Sequence, residues 1–233
     1  MATAAARLDR IVLDGVGKRF GRQWIVSDLS RELRVGTTYG VRGRNGSGKS
    51  TLLRLLAGQL TPTLGGLRFY AGAHEVAVAD VFRQVSWTGP YFEIVEELTI
   101  REALDFHFSL KPLLPGYSVF PAGGGARVRR GEGEAGGRPP DSDVLLDRIE
   151  LAHVRNRKLS DCSSGMRQRV LLATALYADT PILLLDEPTV TLDEDSAAWF
   201  LRELARVSAD RLVVIASNDE RDLQHCTEFV ALA

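Results

Sequence analysis

Residues 43–50 read Gly-Arg-Asn-Gly-Ser-Gly-Lys-Ser, which fits the spacing G-x-x-x-x-G-K-[ST]. Glycines there let the backbone curl until successive N–H groups point inward at phosphate oxygens. A helix opening at Lys49 adds its free N–H groups and its positive dipole end. Lys49 brings a point charge for the β- and γ-phosphates, and the Ser50 hydroxyl is a ligand for Mg²⁺. Such a loop needs a strand before it and a helix after it. Thr37–Arg42 supplies β-branched residues and Tyr39, ending at Gly43. Lys49–Leu60 places Leu52, Leu53, Leu55 and Leu56 at helical spacing, with Gly58 near the stop. A plain glycine-rich turn accounts for neither flank. Gly43, Arg44, Asn45, Gly46, Ser47, Gly48, Lys49, Ser50 and Thr51 are therefore the expected phosphate-binding set.

A second half-site lies at Ile182-Leu-Leu-Leu-Asp-Glu187. A buried strand there delivers Asp186 to its carboxyl end, where ligands sit in parallel sheets. Asp186 suits Mg²⁺, and Glu187 is placed to polarise an attacking water. Alone, the pair reads equally well as an acidic strand cap in a turn closed by Pro188. Beside the phosphate cradle the chemical reading is the stronger.

Ile182–Leu185 and Leu212–Ala216 are apolar on both faces, as strands of a helix-covered parallel sheet are. Ile11–Leu13 and Ser30–Val35 look half-buried and suggest a small antiparallel flank. Between Ile100 and Leu176 the pattern is mainly helical, clearest at Asp143–Leu151 and Gly165–Tyr177. The fold class expected is α/β: a P-loop core with a mostly parallel sheet, an antiparallel β flank and an inserted helical subdomain. A single domain covers 1–233, with 1–90 and 178–233 as the nucleotide-binding core and 91–177 as the helical subdomain. Pro121–Pro140 holds seven of the 22 glycines and almost no large apolar side chain, so a flexible surface insertion is expected near 115–141.

Composition narrows the function classes. Lys plus Arg total 29 against 30 for Asp plus Glu, so nothing argues for a nucleic-acid partner. Two cysteines, Cys162 and Cys226, make neither a disulfide framework nor a metal set, which points to a reducing cytosol. Apolar runs such as Pro181–Leu185 are far short of the ~20 residues that span a bilayer.

With these residues in view, the chain resembles the ATP-binding subunits of ABC transporters over nearly its whole length. GRNGSGKST and, later, LLLDEPTVTLD at Leu183–Asp193 match that family's order and wording. Ser163-Ser-Gly-Met-Arg-Gln-Arg-Val170 looks like a variant of its LSGGQ signature, with Ser164 for the first glycine and Met166 for the glutamine. The resemblance implies ATP and Mg²⁺ as cofactors, with Ser50 and Asp186 on the metal. It implies that Ser163, Ser164 and Gly165 face the γ-phosphate held by a second subunit, a homodimer being expected. It implies that Phe20 stacks on adenine, for which a core phenylalanine is the plainer alternative, and that Asp193 belongs to the loop crossing between subunits. It also implies a membrane permease as partner, meeting the Pro90–Phe108 region, and a cytoplasmic chain peripheral to the inner face of the cell membrane.

Two family positions differ. The glutamine expected after the strand near Val85–Trp87 is replaced by Thr88-Gly-Pro-Tyr91, and Gln84 lies too early to substitute. The histidine after the last sheet strand is replaced by Asn218 in Ser217-Asn-Asp219. His74, His107, His153 and His225 fall elsewhere and read as surface or satisfied side chains. The leading reading is an ATP-hydrolysing subunit that powers a separate permease through dimer closure, with Glu187 and Asn218 as catalytic groups and a slow turnover. A soluble ABC-type ATPase acting as a slow switch or scaffold is the alternative. A small-molecule kinase on a P-loop core has no use for the signature helix or the Asp193 loop.

Overall fold

The computed structural model describes residues 7–89, 92–114 and 142–232. The glycine-rich insertion lies outside the described residues. Two sheets organise the rest. An antiparallel sheet has the order β2-β1-β4-β5, from β1 (Arg10–Phe20), β2 (Gln23–Arg34), β4 (Leu64–Ala71) and β5 (His74–Val76). A second sheet has the order β6-β7-β8-β3-β9, from β3 (Thr38–Arg42), β6 (Val85–Thr88), β7 (Ile182–Asp186), β8 (Leu212–Ala216) and β9 (Glu228–Ala231). Every pairing in the second sheet is parallel.

Its central strands are buried on both faces, which is why they read as unbroken apolar runs. Alternate residues enter two different cores. Leu183, Leu185, Val213 and Ile215 join the core built with α3 (Ile100–Leu110), α4 (Ser142–Arg148), α5 (Ser164–Leu176) and α6 (Glu194–Val207). Ile182, Leu184, Leu212 and Val214 join the core that holds the leucines of α1 (Lys49–Leu56), Val81 of the short α2 (Val78–Val81) and Val16, Leu33 and Phe69 of the antiparallel sheet. The parallel sheet is thus the shared wall of two hydrophobic compartments.

Several bounds differ from the sequence reading. Helix α1 stops at Leu56 rather than Leu60, because Gly58 turns left-handed (φ +71) and the N–H groups of Gln59 and Leu60 return to the Arg54 carbonyl. Helix α4 ends at Arg148, short of Leu151, where Glu150 takes a left-handed φ of 59. The half-buried segments Ile11–Leu13 and Ser30–Val35 are pieces of longer strands. At β4, Gly65 (φ +77) lies so close to the Asp14 and Gly15 carbonyls of a β1 bulge that no side chain fits.

Arg211 is buried and unlike a usual surface arginine. Its guanidinium donates to the Leu176 carbonyl at 2.7 Å and to Thr180 Oγ1 at 2.8 Å, so it caps the C-terminal end of α5.

His107, on α3, is only partly the satisfied side chain expected: its ring bonds to the Thr174 backbone. Its Nε2 is buried without a hydrogen-bond partner among the described residues. Burial, then the Lys111 charge, pushes its pKa from 6.5 down to about 4. Folding therefore keeps His107 neutral, and that contribution is complete above 6.5 and lost as pH falls through about 4. The urea midpoint should fall across this window, and fall less in His107→Phe. Equal slopes for the two proteins would remove His107 as the source.

Candidate functional site

Parallel pairing sets Asp186 beside Ala216 and Val41 beside the same Ala216. The carboxyl ends of β7, β8 and β3 consequently open into one place. There an open cleft of about 1300 Å³ is lined by Phe20, Ile25, Asn45, Gly46, Gly48, Lys49, Ser50, Thr51, Arg54 and the Asp186–Glu187 pair. Residues 189, 190, 192 and 218–222 complete it.

The loop between β3 and α1 takes its shape from glycines. Gly46 (φ +82) and Gly48 (φ +100) are left-handed. A Cβ on Gly48 would meet Ile25 Cγ2 at 2.6 Å and the Ile25 carbonyl oxygen at 2.9 Å. At Gly43 a Cβ would collide with the Ser47 hydroxyl. That hydroxyl is buried and has no partner among the described residues, so a hydrogen-bonding group remains to be supplied from outside the loop. The N–H of Ser47 donates to the Arg44 carbonyl at 3.0 Å, which closes the turn.

Lys49 is only 6% exposed. Its ammonium donates to the Gly43 carbonyl at 2.9 Å and to Asn218 Oδ1 at 3.0 Å, and lies 3.5 Å from Glu187 Oε1. Asn218 Nδ2 donates in turn to Glu187 Oε1 at 3.1 Å and to Asn45 Oδ1. A single amide thus joins the cradle, its lysine and the strand-end carboxylate. Glu187 itself has a left-handed φ of 45, which costs an L-residue about 1–2 kcal/mol. Its N–H donates to the Ala216 carbonyl at 2.7 Å, across from β7 to β8.

Asp186 is buried, and the Ser50 hydroxyl bonds to its carboxylate. Burial pushes its pKa up, the Ser50 bond opposes this, and the neighbouring Glu187 charge adds to the rise. A divalent cation would relieve that cost. Asp186 and Ser50 are hard oxygen donors, the kind Mg²⁺ takes together with water and substrate phosphates. Among the described residues no cluster of three or more His, Cys, Asp or Glu makes a protein-only metal site. By their oxygen donors Asp186 and Ser50 fit Mg²⁺.

The remaining sequence-stated residues divide. Phe20 is half exposed at the cleft, with Lys18 Nζ 5.3 Å from its ring centre, so it is not a core phenylalanine. Ser163 N-caps α5, its Oγ accepting from Met166 N at 3.2 Å, with Ser164 and Gly165 in the first turn. Asp193 N-caps α6 by accepting from Ser196 N at 2.8 Å, and the Ser196 hydroxyl, followed by that N–H, holds its carboxyl below the ordinary value. None of these four lines the cleft, so one chain does not bring them to the phosphate cradle. Gln84 accepts from the Leu8 N–H at 2.7 Å and also stays outside the cleft. Of Thr88-Gly-Pro-Tyr91, the last two lie outside the described residues, and Gly89 packs on Asp186 with no side chain to offer. Sequence reasoning missed Ser217, Thr189 and Asp222, three buried polar residues grouped behind Glu187.

The ABC transporter family model matches residues 26–190, well over half of the chain. The chain belongs to the ABC transporter family. It is 32% identical over 216 residues to the cytochrome c biogenesis ATP-binding export protein CcmA of Paraburkholderia xenovorans, covering 90% of this chain and 89% of that protein. It is 32% identical over 183 residues to the sulfate/thiosulfate import ATP-binding protein CysA of Shigella flexneri, covering 78% of this chain but only 46% of the longer relative. Its fold matches a putative ABC transporter ATP-binding protein from Pyrococcus furiosus with a TM-score of 0.73 at 22% identity, over 96% of this chain and 97% of that one. This ABC protein is an ATP-binding ATPase with the α/β architecture of its relatives.

Gly48→Ala should cost about 1–3 kcal/mol of stability through strain at a left-handed position pressed on Ile25. It should also weaken ATP binding at least about tenfold, since the helix start moves by a large part of a bond length. Calorimetric titration with ATP, beside urea unfolding, checks both.

Proposed function

We propose that this chain hydrolyses ATP to drive closure and opening of a two-chain assembly, and thereby powers a separate membrane permease. The observation that carries the reading is a division of parts. The phosphate cradle, Asp186 and Glu187 share one cleft, whereas Ser163–Gly165 and Asp193, at the starts of α5 and α6, are not among the residues that line it. A helix start with free N–H groups favours phosphate. Two copies related by a two-fold axis complete both sites at once.

In this reading the loop 43–51 holds the phosphates, Phe20 stacks on the base, and Ser50 with Asp186 would hold Mg²⁺. The ion, when bound, neutralises charge on the β- and γ-phosphates. Glu187 orients the attacking water. Asn218 gives up its bond to Lys49 when phosphate arrives, and its amide remains a neutral donor near the transferred group. We read 1–90 and 178–233 as the nucleotide-binding core and 91–177 as the helical subdomain. Among the described residues no helix is long and apolar enough to cross a membrane. An apolar groove of about 470 Å³, lined by Phe82, Trp87, Phe92, Val95 and Phe106 among others, suits a permease segment at the inner membrane face. The relatives include both an export protein and an import protein.

Glu187→Gln should bind ATP, hydrolyse it slowly and accumulate as a dimer. Light scattering with ATP and Mg²⁺ checks this; only monomer would point to a different partner chain.

A slow switch without a permease is favoured by one observation, Asn218 in place of histidine. An amide cannot carry a proton or become cationic as charge shifts. Loss of an aligned donor costs ~10²–10³ in rate in other enzymes, and Asn218 keeps part of that donor, so a loss near the lower end is expected. Steady-state phosphate release should therefore rise in Asn218→His. Fast wild-type turnover, unchanged or reduced by the histidine, would assign the role to another group.

A further inference from the structure

Behind Glu187 lies a set of buried oxygens with too few protons if every carboxyl is ionised. Ser217 Oγ is 2.6 Å from Asp222 Oδ2 and 3.2 Å from Glu187 Oε2. It already accepts the Asp219 N–H at 3.0 Å. A serine hydroxyl has one proton to donate, yet two carboxylate oxygens face it. The other Asp222 oxygen accepts from Thr189 Oγ1 at 2.7 Å. Asp222 and Ser217 are each 1% exposed, and among the described residues no lysine or arginine forms an ion pair with Asp222. Arg221, next in sequence, turns instead to Asp219 at 2.6 Å.

We infer that Asp222 is a neutral carboxylic acid at neutral pH and positions Glu187 through the Ser217 hydroxyl. The proton on Asp222 Oδ2 is donated to Ser217 Oγ, which frees the serine proton for Glu187 Oε2. All contacts then have one donor and one acceptor. The opposite assignment leaves a buried anion with two hydroxyl donors but no countercharge, and a serine lone pair facing Glu187 Oε2, which then keeps only the Asn218 N–H at 3.3 Å. Burial also pushes the Asp222 carboxyl upward, and the nearby charges of Asp219 and Glu187 add to this against the hydrogen bonds from Ser217 and Thr189. Arg221 and the Cys226 thiol are the other titratable groups in reach, and the thiol is itself held neutral by burial, pushed up to about 12. Because Thr189 precedes the segment leading to Asp193, the same acid ties that segment to the end of β8. The inference rests on the proposed role of Glu187 beside the reacting phosphate, but the protonation of Asp222 can be read without any hydrolysis.

Carbon-13 NMR of the full chain labelled at aspartate carboxyls supplies that reading, with Asp222→Asn assigning the resonance. A protonated shift for Asp222 at pH 7 is expected, and an ionised shift overturns the inference. In phosphate-release assays Ser217→Ala and Asp222→Ala should lower kcat about fivefold to tenfold with little change in KM for ATP, as expected for loss of one hydrogen bond. Asp222→Asn, whose amide offers one donor and one acceptor, should recover most of the rate lost in the alanine variant. An asparagine variant as impaired as Asp222→Ala overturns the inference. Wild-type rate in Ser217→Ala, with hydrolysis lost in Glu187→Gln, overturns the positioning role alone. Wild-type rate in Glu187→Gln overturns the reading of Glu187 and the inference with it.

Discussion

Because β8 pairs in parallel with β7 on one side and β3 on the other, the residues leaving three strand ends emerge side by side. Without that register the cradle after β3, the acids after β7 and Asn218 after β8 would be unrelated sequence fragments. The register is in turn held by apolar side chains on both faces of β7 and β8 and by Tyr39 and Val41 of β3 on one, so two hydrophobic cores fix one polar cleft. A one-residue slip of β7 would send Leu183 and Leu185 into the wrong core and turn Asp186 away from the cleft. Stability and site geometry are therefore set by the same strands.

Much of this was legible in the sequence because the relevant signals are local. Gly43–Ser50 encodes a backbone shape, and Ile182–Glu187 encodes a buried strand with acids at its end. The half-buried flank at Ile11–Leu13 was seen only as a fragment, since a bulge at residues 14–17 breaks the alternation that would have extended it. Leucine periodicity carries α1 four residues too far, to Leu60, while the left-handed Gly58 ends the helix at Leu56. Asp222 and Thr189 carried no signal at all. Their pairing spans 33 residues and depends on how two loops pack, which no spacing rule records.

The parts that stand outside the cleft are as informative as those within it. Ser163 and Asp193 each cap the start of a helix with a side-chain oxygen. Each is thus needed by its own fold as well as by any neighbour it meets. Arg211 acts at the opposite end of α5, so the helix that begins with the signature residues is fastened to the sheet by a buried guanidinium. Glu96 does the same near its start, pairing with Arg167 at 3.0 Å while its carbonyl accepts the Ser160 N–H.

The internal bonds of Lys49 have a consequence for selectivity. An ammonium already shared by a carbonyl, an amide oxygen and a carboxylate behaves like a seat that is taken. A single small anion, offering one or two oxygens, gains little by displacing those neighbours. A polyphosphate brings several oxygens at once, meets the loop N–H groups together with the ammonium, and outweighs them.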